Sequence, residues 1–454
     1  MRIHFIGIGG IGVSALARYY LSRKDKVFGS DLAESEITKG LIKIGARIFI
    51  GRHKAKNIAK NADLVIYSPA VTDNNAELKE ARAKKIKVES YPEALGELTK
   101  KYFTIAVSGT HGKGTTTAMI SLILIKAGLD PTVIIGTKLK EFGDSNFRQG
   151  KSKYLVIEAD EYKSSFLNYW PKIIVLTTID KDHLDYFKTL GNIIKTFRKF
   201  VGHLPKHGWL VANRNDKNIE KLVSPTYTHF PTIVKKWVWI SKEGNEAKKL
   251  KKVLKIPGDH ILADALTALA VARILKIPDK TSFKALSEYR GAWRRFQELK
   301  LKIKNLKFKI ISDYAHHPTE ILVTLKAARQ KYPDRKICCV FQPHQYQRTF
   351  YLFKDFVKVF VESEINKLIL IDIYSVSGRE SAKIKSKVSS EKLAREIKKS
   401  AKNKEIIHLP NNKKAADYLK TNLKKDEVLI IMGAGNVYEL AQLLTAAEKK
   451  AKIK

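Results

Sequence analysis

Cysteine is nearly absent from this chain of 454 residues: there are two, Cys338 and Cys339, side by side. They sit in an apolar, strand-like run at 337–341, so both read as small core residues, and their scarcity favours a reducing, cytoplasmic setting. No apolar stretch approaches the ~18–20 residues of a membrane span. The start, Ile3-His4-Phe5-Ile6, is strand-like and lacks the basic-then-apolar pattern of a signal peptide. Short internal repeats and low-complexity linkers are missing as well. Acidic residues are outnumbered, 45 against 85 basic ones, for a formal net charge of +40. That balance invites a nucleic-acid reading. The basic residues are scattered along the whole chain, however, in helix-like segments such as 392–404 and 448–454, and no nucleic-acid motif accompanies them. A lysine-rich solvated surface is expected, with no nucleic-acid partner, though it would attract anionic substrates. A hydrophobic content of 44% is ample for two to four globular domains.

What is present is organised around Val107-Ser108-Gly109-Thr110-His111-Gly112-Lys113-Gly114-Thr115-Thr116-Thr117. An apolar run (103–107) precedes it and a helical pattern with Met119, Ile120, Leu122 and Ile123 follows, ending near Gly128. Strand, glycine loop, helix is the setting of a phosphate-binding loop, where backbone N–H groups and the helix N-terminus face an anion. Lys113 can reach the outer phosphates, and a hydroxyl just after it can hold Mg²⁺. Val107 stands where the generic pattern has its first glycine, so the loop is the shorter form beginning at Gly109.

Around this loop the chain alternates strands and helices. Near the N-terminus, strand 3–8 runs into Gly7-Ile8-Gly9-Gly10-Ile11-Gly12, a helix at 13–21, and a strand at 26–30 followed by Asp31. This is a Rossmann-like half, for which dinucleotide binding is the plain reading, although the turn suits any nucleotide diphosphate. Pro92 and the polar residues 96–101 suggest a hinge into a second unit. There, strand 154–157 ends in Glu158-Ala159-Asp160-Glu161, and strand 173–178 ends in Ile179-Asp180-Lys181-Asp182-His183. Both acidic clusters fall where open α/β sheets place ligands, as Mg²⁺–nucleotide chemistry requires. Residues 203–256 are less regular, with a strand at 237–240. After a second hinge near 291–296, four strands ending at Ser312, Phe341, Ile371 and Met432 form a third doubly wound domain. Its ligand edge carries Asp313, His316, His344 and Arg348. The expected fold is α/β in three domains: Rossmann-like (1–100), central P-loop ATPase-type (101–293) and C-terminal Rossmann-like (294–454).

The motifs at 7–12, 109–117, 158–161, 182–186, Pro257-Gly258-x-His260, Arg294-Arg295-Phe296, 313–319 and His344-x-Tyr346-x-Arg348-Thr349 stand in the order seen in the Mur ligases, and the chain resembles that family over nearly its whole length. The resemblance implies ATP-dependent amide formation in peptidoglycan precursor synthesis. The lactyl carboxylate of UDP-N-acetylmuramate takes the ATP γ-phosphate, and the amine of L-alanine attacks the acyl phosphate. The alternative within the family attaches a whole recycled peptide; more remote readings are a nucleic-acid-associated ATPase and a nicotinamide oxidoreductase. By resemblance, Lys113, Glu158, His183, Arg295, His344 and Arg348 are catalytic. ATP falls to Gly109, Thr110, His111, Gly112, Lys113, Gly114, Thr115, Thr116, His260, Asp264, Arg295 (or Arg294), Asp313 and His316. Mg²⁺ falls to Thr115 (or Thr116), Glu158 and His183. The UDP-sugar falls to Gly9, Gly10, Ile11, Gly12, Ser30 and Asp31, with His344 and Arg348. Three departures stand out: Gly114 replaces the usual threonine, Ile261 and Asp264 replace two asparagines, and residues 374–379 replace a small, acidic segment. The sequence leaves monomer or dimer open.

Overall fold

A computed structural model describes residues 1–223, 236–303, 306–376, 380 and 382–444. The helix expected at 448–454 and part of the 374–379 segment, residues 377–379, lie outside the described residues. The chain forms two compact units: residues 1–181, 189–254 and 263–289, and residues 182–188, 255–262 and 290–454.

The first unit holds two sheets. The N-terminal sheet runs Arg47–Ile50, Lys26–Asp31, Arg2–Ile6, Leu64–Tyr67, Lys87–Ser90, all parallel. The larger sheet runs Trp237–Ile240, Trp209–Asn213, Ile173–Leu176, Phe103–Ser108, Tyr154–Ala159, Thr132–Leu139, Ser145–Arg148. Only its last pair is antiparallel. Central parallel strands are covered on both faces, so they read as continuous apolar runs; every residue of Ile173–Leu176 is buried. The second unit holds the sheet Gln297–Ile303, Leu306–Asp313, Glu427–Met432, Lys336–Phe341, Lys367–Ile371, Glu405–Leu409, parallel after its first hairpin. Cys338 and Cys339 are buried in it as free thiols.

Three expectations change. The hinge at 92–101 is instead the helix Tyr91–Lys101, started by a capping box between Ser90 and Glu93, with Leu95, Leu98 and Thr99 buried. Its Gly96 is required because a β-carbon there would run into the Asn168 carbonyl oxygen. Glu158 lies inside its strand rather than beyond it. The C-terminal sheet has six strands, not four. The two missed ones, Gln297–Ile303 and Glu405–Leu409, are the edge strands, and the first carries a plain period-2 alternation at Leu299, Leu301 and Ile303. Among the described residues no helix is long and apolar enough to cross a membrane.

Candidate active site

The loop after Phe103–Ser108 is built as its composition demands. Gly109 (φ +140°) has its missing β-carbon's place taken by Thr177, with Thr178 N only 2.9 Å away, so only glycine fits. Gly112 (φ +82°) caps the helix Lys113–Lys126. The segment after Ile173–Leu176 braces the loop from the side. Thr110 N–H donates to Thr178 O (2.8 Å), His111 N–H to Thr178 Oγ1 (2.9 Å), and Asp180 N–H to Thr110 Oγ1 (2.9 Å). His111 Nε2 lies 3.3 Å from Asp180 Oδ2.

Lys113 folds back over this cradle. Its Nζ donates to Gly109 O (2.6 Å), Thr110 O (3.3 Å) and Glu161 Oε2 (2.9 Å). Burial alone would depress the ammonium's pKa. The carboxylates of Glu161, Asp160 and Glu158 outweigh that and hold it above its ordinary value, so the cation is permanent at neutral pH. Glu158 Oε2 accepts the Gly136 N–H (2.8 Å). A β-carbon on Gly114 would lie 3.5 Å from the same oxygen, so this carboxylate stands at the first turn of the loop helix. The threonines divide. Thr116 Oγ1 donates to Asp264 Oδ1 (2.9 Å) and Thr117 Oγ1 to Lys113 O (2.8 Å). Among the described residues Thr115 makes no such bond. A buried cation over a glycine cradle, with a hydroxyl and a carboxylate beside it, fits a Mg²⁺–nucleotide. Asp264 closes on Gly112 and Thr116 of the loop.

The N-terminal turn is held just as firmly. Gly7 (φ +77°) and Ile8 both donate to Ser30 O (2.9 and 3.1 Å), and Gly9 N–H donates to Asp31 Oδ2 (2.8 Å). Asp31 therefore shapes the turn. Gly10 caps the helix Ile11–Ser22. At Gly12 the Tyr91 ring lies 2.8 Å from where a β-carbon would stand, so a side chain there would have to displace that ring. Ile11 O and Ser14 Oγ accept from Asn146 Nδ2, which ties the turn's helix to the Ser145–Arg148 strand. Beneath the turn, Ser30 Oγ donates to the buried Glu77 Oε2 (2.6 Å). His4 Nε2 (2.9 Å) and Asn57 Nδ2 (2.6 Å) also contact that carboxylate. Burial pushes the Glu77 carboxyl up, but these bonds and the His4 charge bring it down to about 2.

In the second unit, Arg348 pairs with Asp182 through Nε and Nη2 (3.1 and 3.0 Å). Its Nη1 lies 3.3 Å from His344 Nδ1. Burial raises the Asp182 carboxyl; Arg348, followed by His183, His317 and His316, overcomes this and holds it well below the carboxylate range. His183 starts a short helix from a left-handed backbone (φ +51°). The His344 ring stacks on Tyr374 (5.6 Å between centroids) and meets His316 edge-on. His316 Nδ1 lies 3.0 Å from Tyr314 O and 3.2 Å from Glu320 Oε2. Burial first, then Arg348, lowers its pKa and keeps the imidazole neutral at neutral pH. Arg295 lies over the Tyr314 ring (5.0 Å), while Asp313 accepts the Phe296 and Ala315 N–H groups. His260 packs against Gly258, 2.6 Å from where a β-carbon would stand.

Sequence reasoning left several working residues unassigned. Glu161 and Asp182 stood in quoted motifs, but their partners Lys113 and Arg348 lie 48 and 166 residues away. Asp216 accepts Ile179 N–H (3.0 Å) and so holds the bracing segment; it lay in the stretch read as irregular. Glu77 and Tyr91 carry no motif signal at all.

Comparison with known proteins accords with this geometry. Three family models match in order: the Mur ligase family catalytic domain at residues 2–103, the Mur ligase middle domain at 107–272, and the Mur ligase glutamate ligase domain at 294–435. The UDP-N-acetylmuramate–L-alanine ligase of Clostridium tetani is 40% identical, covering 97% of each chain. That of Acetivibrio thermocellus is also 40% identical, over 97% of this chain and 95% of its own. The solved UDP-N-acetylmuramate–alanine ligase of Thermotoga maritima superimposes with a TM-score of 0.80 at 26% identity, over 99% of this chain and 100% of its own. A murein peptide ligase from Psychrobacter arcticus shares the fold, with a TM-score of 0.71 at 22% identity over 98% of each chain. With these three family models matched in order and relatives 40% identical over nearly the whole length, this chain belongs to the Mur ligase family.

Proposed function

We propose that the chain joins L-alanine to UDP-N-acetylmuramate in the cytoplasm, with ATP converted to ADP and phosphate through an acyl phosphate. The observation that carries this reading is the Lys113 ammonium, buried in a cradle of loop carbonyls and held charged by Glu161. A phosphate entering the loop meets the cation and the N–H groups of the helix start. Lys113 then exchanges Glu161 for phosphate oxygens and neutralises charge as it develops on the bridging oxygen. Thr115 and Glu158 would hold Mg²⁺, and we assign a metal-ligating role to His183 also. The ion, when bound, brings carboxylate and phosphate together by screening two anions. The glycine turn, shaped by Ser30 and Asp31, binds the UDP part. Arg295, His344 and Arg348 bind anionic reactants, His260 and Asp264 serve the nucleotide, and Asp313 and His316 position their neighbours. Domain limits of 1–100, 101–293 and 294–454 accompany this assignment.

The test is product formation from ATP and UDP-N-acetylmuramate with either L-alanine or L-alanyl-γ-D-glutamyl-diaminopimelate as acceptor. Turnover with L-alanine, at least about a hundredfold better than with the peptide, is expected. Turnover with the peptide alone would move the chain to the recycling reaction.

A further inference from the structure

Residues 163 and 164 are consecutive, neither is glycine, and both are left-handed: Lys163 at φ +52°, ψ +26° and Ser164 at φ +58°, ψ +26°. Such a pair costs energy and persists only where its surroundings over-determine it, typically at a ligand site. Here both flanks are pinned. Ser164 N–H donates to Glu161 O (2.8 Å), Phe166 N–H to Asp160 O (3.1 Å), and Ser165 Oγ to Tyr162 O (2.7 Å). The Phe166 ring is buried between Phe200 (4.4 Å, stacked) and Phe197 (5.1 Å, edge-on). The outcome of this twist is the direction of one exposed cation. Lys163 lies two residues beyond Glu161, the last of the acidic residues Glu158, Asp160 and Glu161, yet its Nζ reaches Pro69 O (3.3 Å), past the end of the N-terminal strand Leu64–Tyr67. Its neighbour Ser68 lies 3.0 Å from the missing β-carbon of Gly7, so this is the rim of the glycine turn.

We propose that Lys163 is a substrate-binding residue whose ammonium takes an anionic group of the sugar nucleotide, either the diphosphate or the lactyl carboxylate, as that ligand passes from the glycine turn to the phosphate loop. This rests on the ligase reading above. A ligand carrying both anions must approach Glu158, Asp160 and Glu161, which repel it, and Lys113 is already engaged by Glu161. Lys163 offsets that repulsion from the substrate side. Its bond to a neutral carbonyl is readily exchanged for a stronger, charge-assisted one to the ligand.

The experiment uses the full chain and Lys163→Met and Lys163→Arg variants. Steady-state constants are measured for all three substrates, and UDP, UDP-N-acetylglucosamine and UDP-N-acetylmuramate are titrated calorimetrically. Lys163→Met is expected to raise the KM for UDP-N-acetylmuramate by about tenfold, with the constants for ATP and L-alanine unchanged and Lys163→Arg largely restored. Weaker binding of all three uridine nucleotides assigns the diphosphate; weaker binding of UDP-N-acetylmuramate alone assigns the carboxylate. Unchanged affinity for all three, or an equal loss for ATP, overturns the proposal. A wild-type chain that binds none of them fails the ligase reading itself, and the wild-type titration alone reveals that.

Discussion

At the scale of single residues, the site depends on three buried, partnered charges. Lys113 with Glu161, Arg348 with Asp182, and Glu77 with His4, Ser30 and Asn57 each place an ion where solvent is scarce and supply its partners. Removing one member strands the other, which costs more than the pair contributes. Glu77→Ala should therefore destabilise the chain by about 3 kcal/mol and loosen the glycine turn, because Ser30 loses its anchor. The pH dependence has a definite sign. The Glu77 carboxyl is lower in the folded chain, about 2, than its ordinary 4.5, so its stabilisation is complete above the higher value and is lost as pH falls through that window. Thermal melting of wild type and Glu77→Gln between those limits checks this. The wild type should lose stability more steeply, and parallel curves would remove Glu77 from the account. Lys113 was legible in the sequence because a lysine after glycines, between a strand and a helix, has one well-understood use. Glu77 was not, because a buried carboxylate is defined by neighbours from three other segments.

At the scale of elements, the start of the loop helix bears on a choice the sequence left open. Successive threonines project at different angles around the helix. Thr116 turns toward Asp264 and Thr117 back to Lys113 O, which supports the proposal of Thr115 for the metal. Thr115→Ala is expected to raise the Mg²⁺ concentration for half-maximal activity by about tenfold with little change in melting. Thr116→Ala is expected to cost about 1 kcal/mol of stability with the Mg²⁺ requirement nearly unchanged. Magnesium titrations and melting curves of both variants decide it, and the reverse pattern would exchange the two assignments. Gly114 has its own account here, since it faces the Glu158 carboxylate at the same turn. Central strands such as Phe103–Ser108 and Ile173–Leu176 were readable because parallel strands buried on both faces are uniformly apolar. The helix Tyr91–Lys101, taken for a hinge, was not. Its polar residues answer to solvent and capping, so local composition resembles a linker while the buried Leu95 and Leu98 answer to packing.

At the scale of the whole molecule, three α/β sheets carry their polar and glycine-rich residues at strand C-termini, where doubly wound folds place ligands. The sequence order of these endings was visible from the start; the pairing of Asp182 with Arg348, 166 residues apart, needed the fold. The net charge of +40 suits a chain two of whose three proposed substrates are polyanions. The central claim is that the phosphate loop activates a carboxylate rather than water. It is tested most directly with UDP-N-acetylmuramate carrying oxygen-18 in its lactyl carboxylate, turned over with ATP and L-alanine, the released phosphate being analysed by mass spectrometry. An acyl phosphate requires one carboxylate oxygen to leave with the phosphate, so the label appears there. Phosphate carrying no oxygen-18 after amide formation would contradict the account.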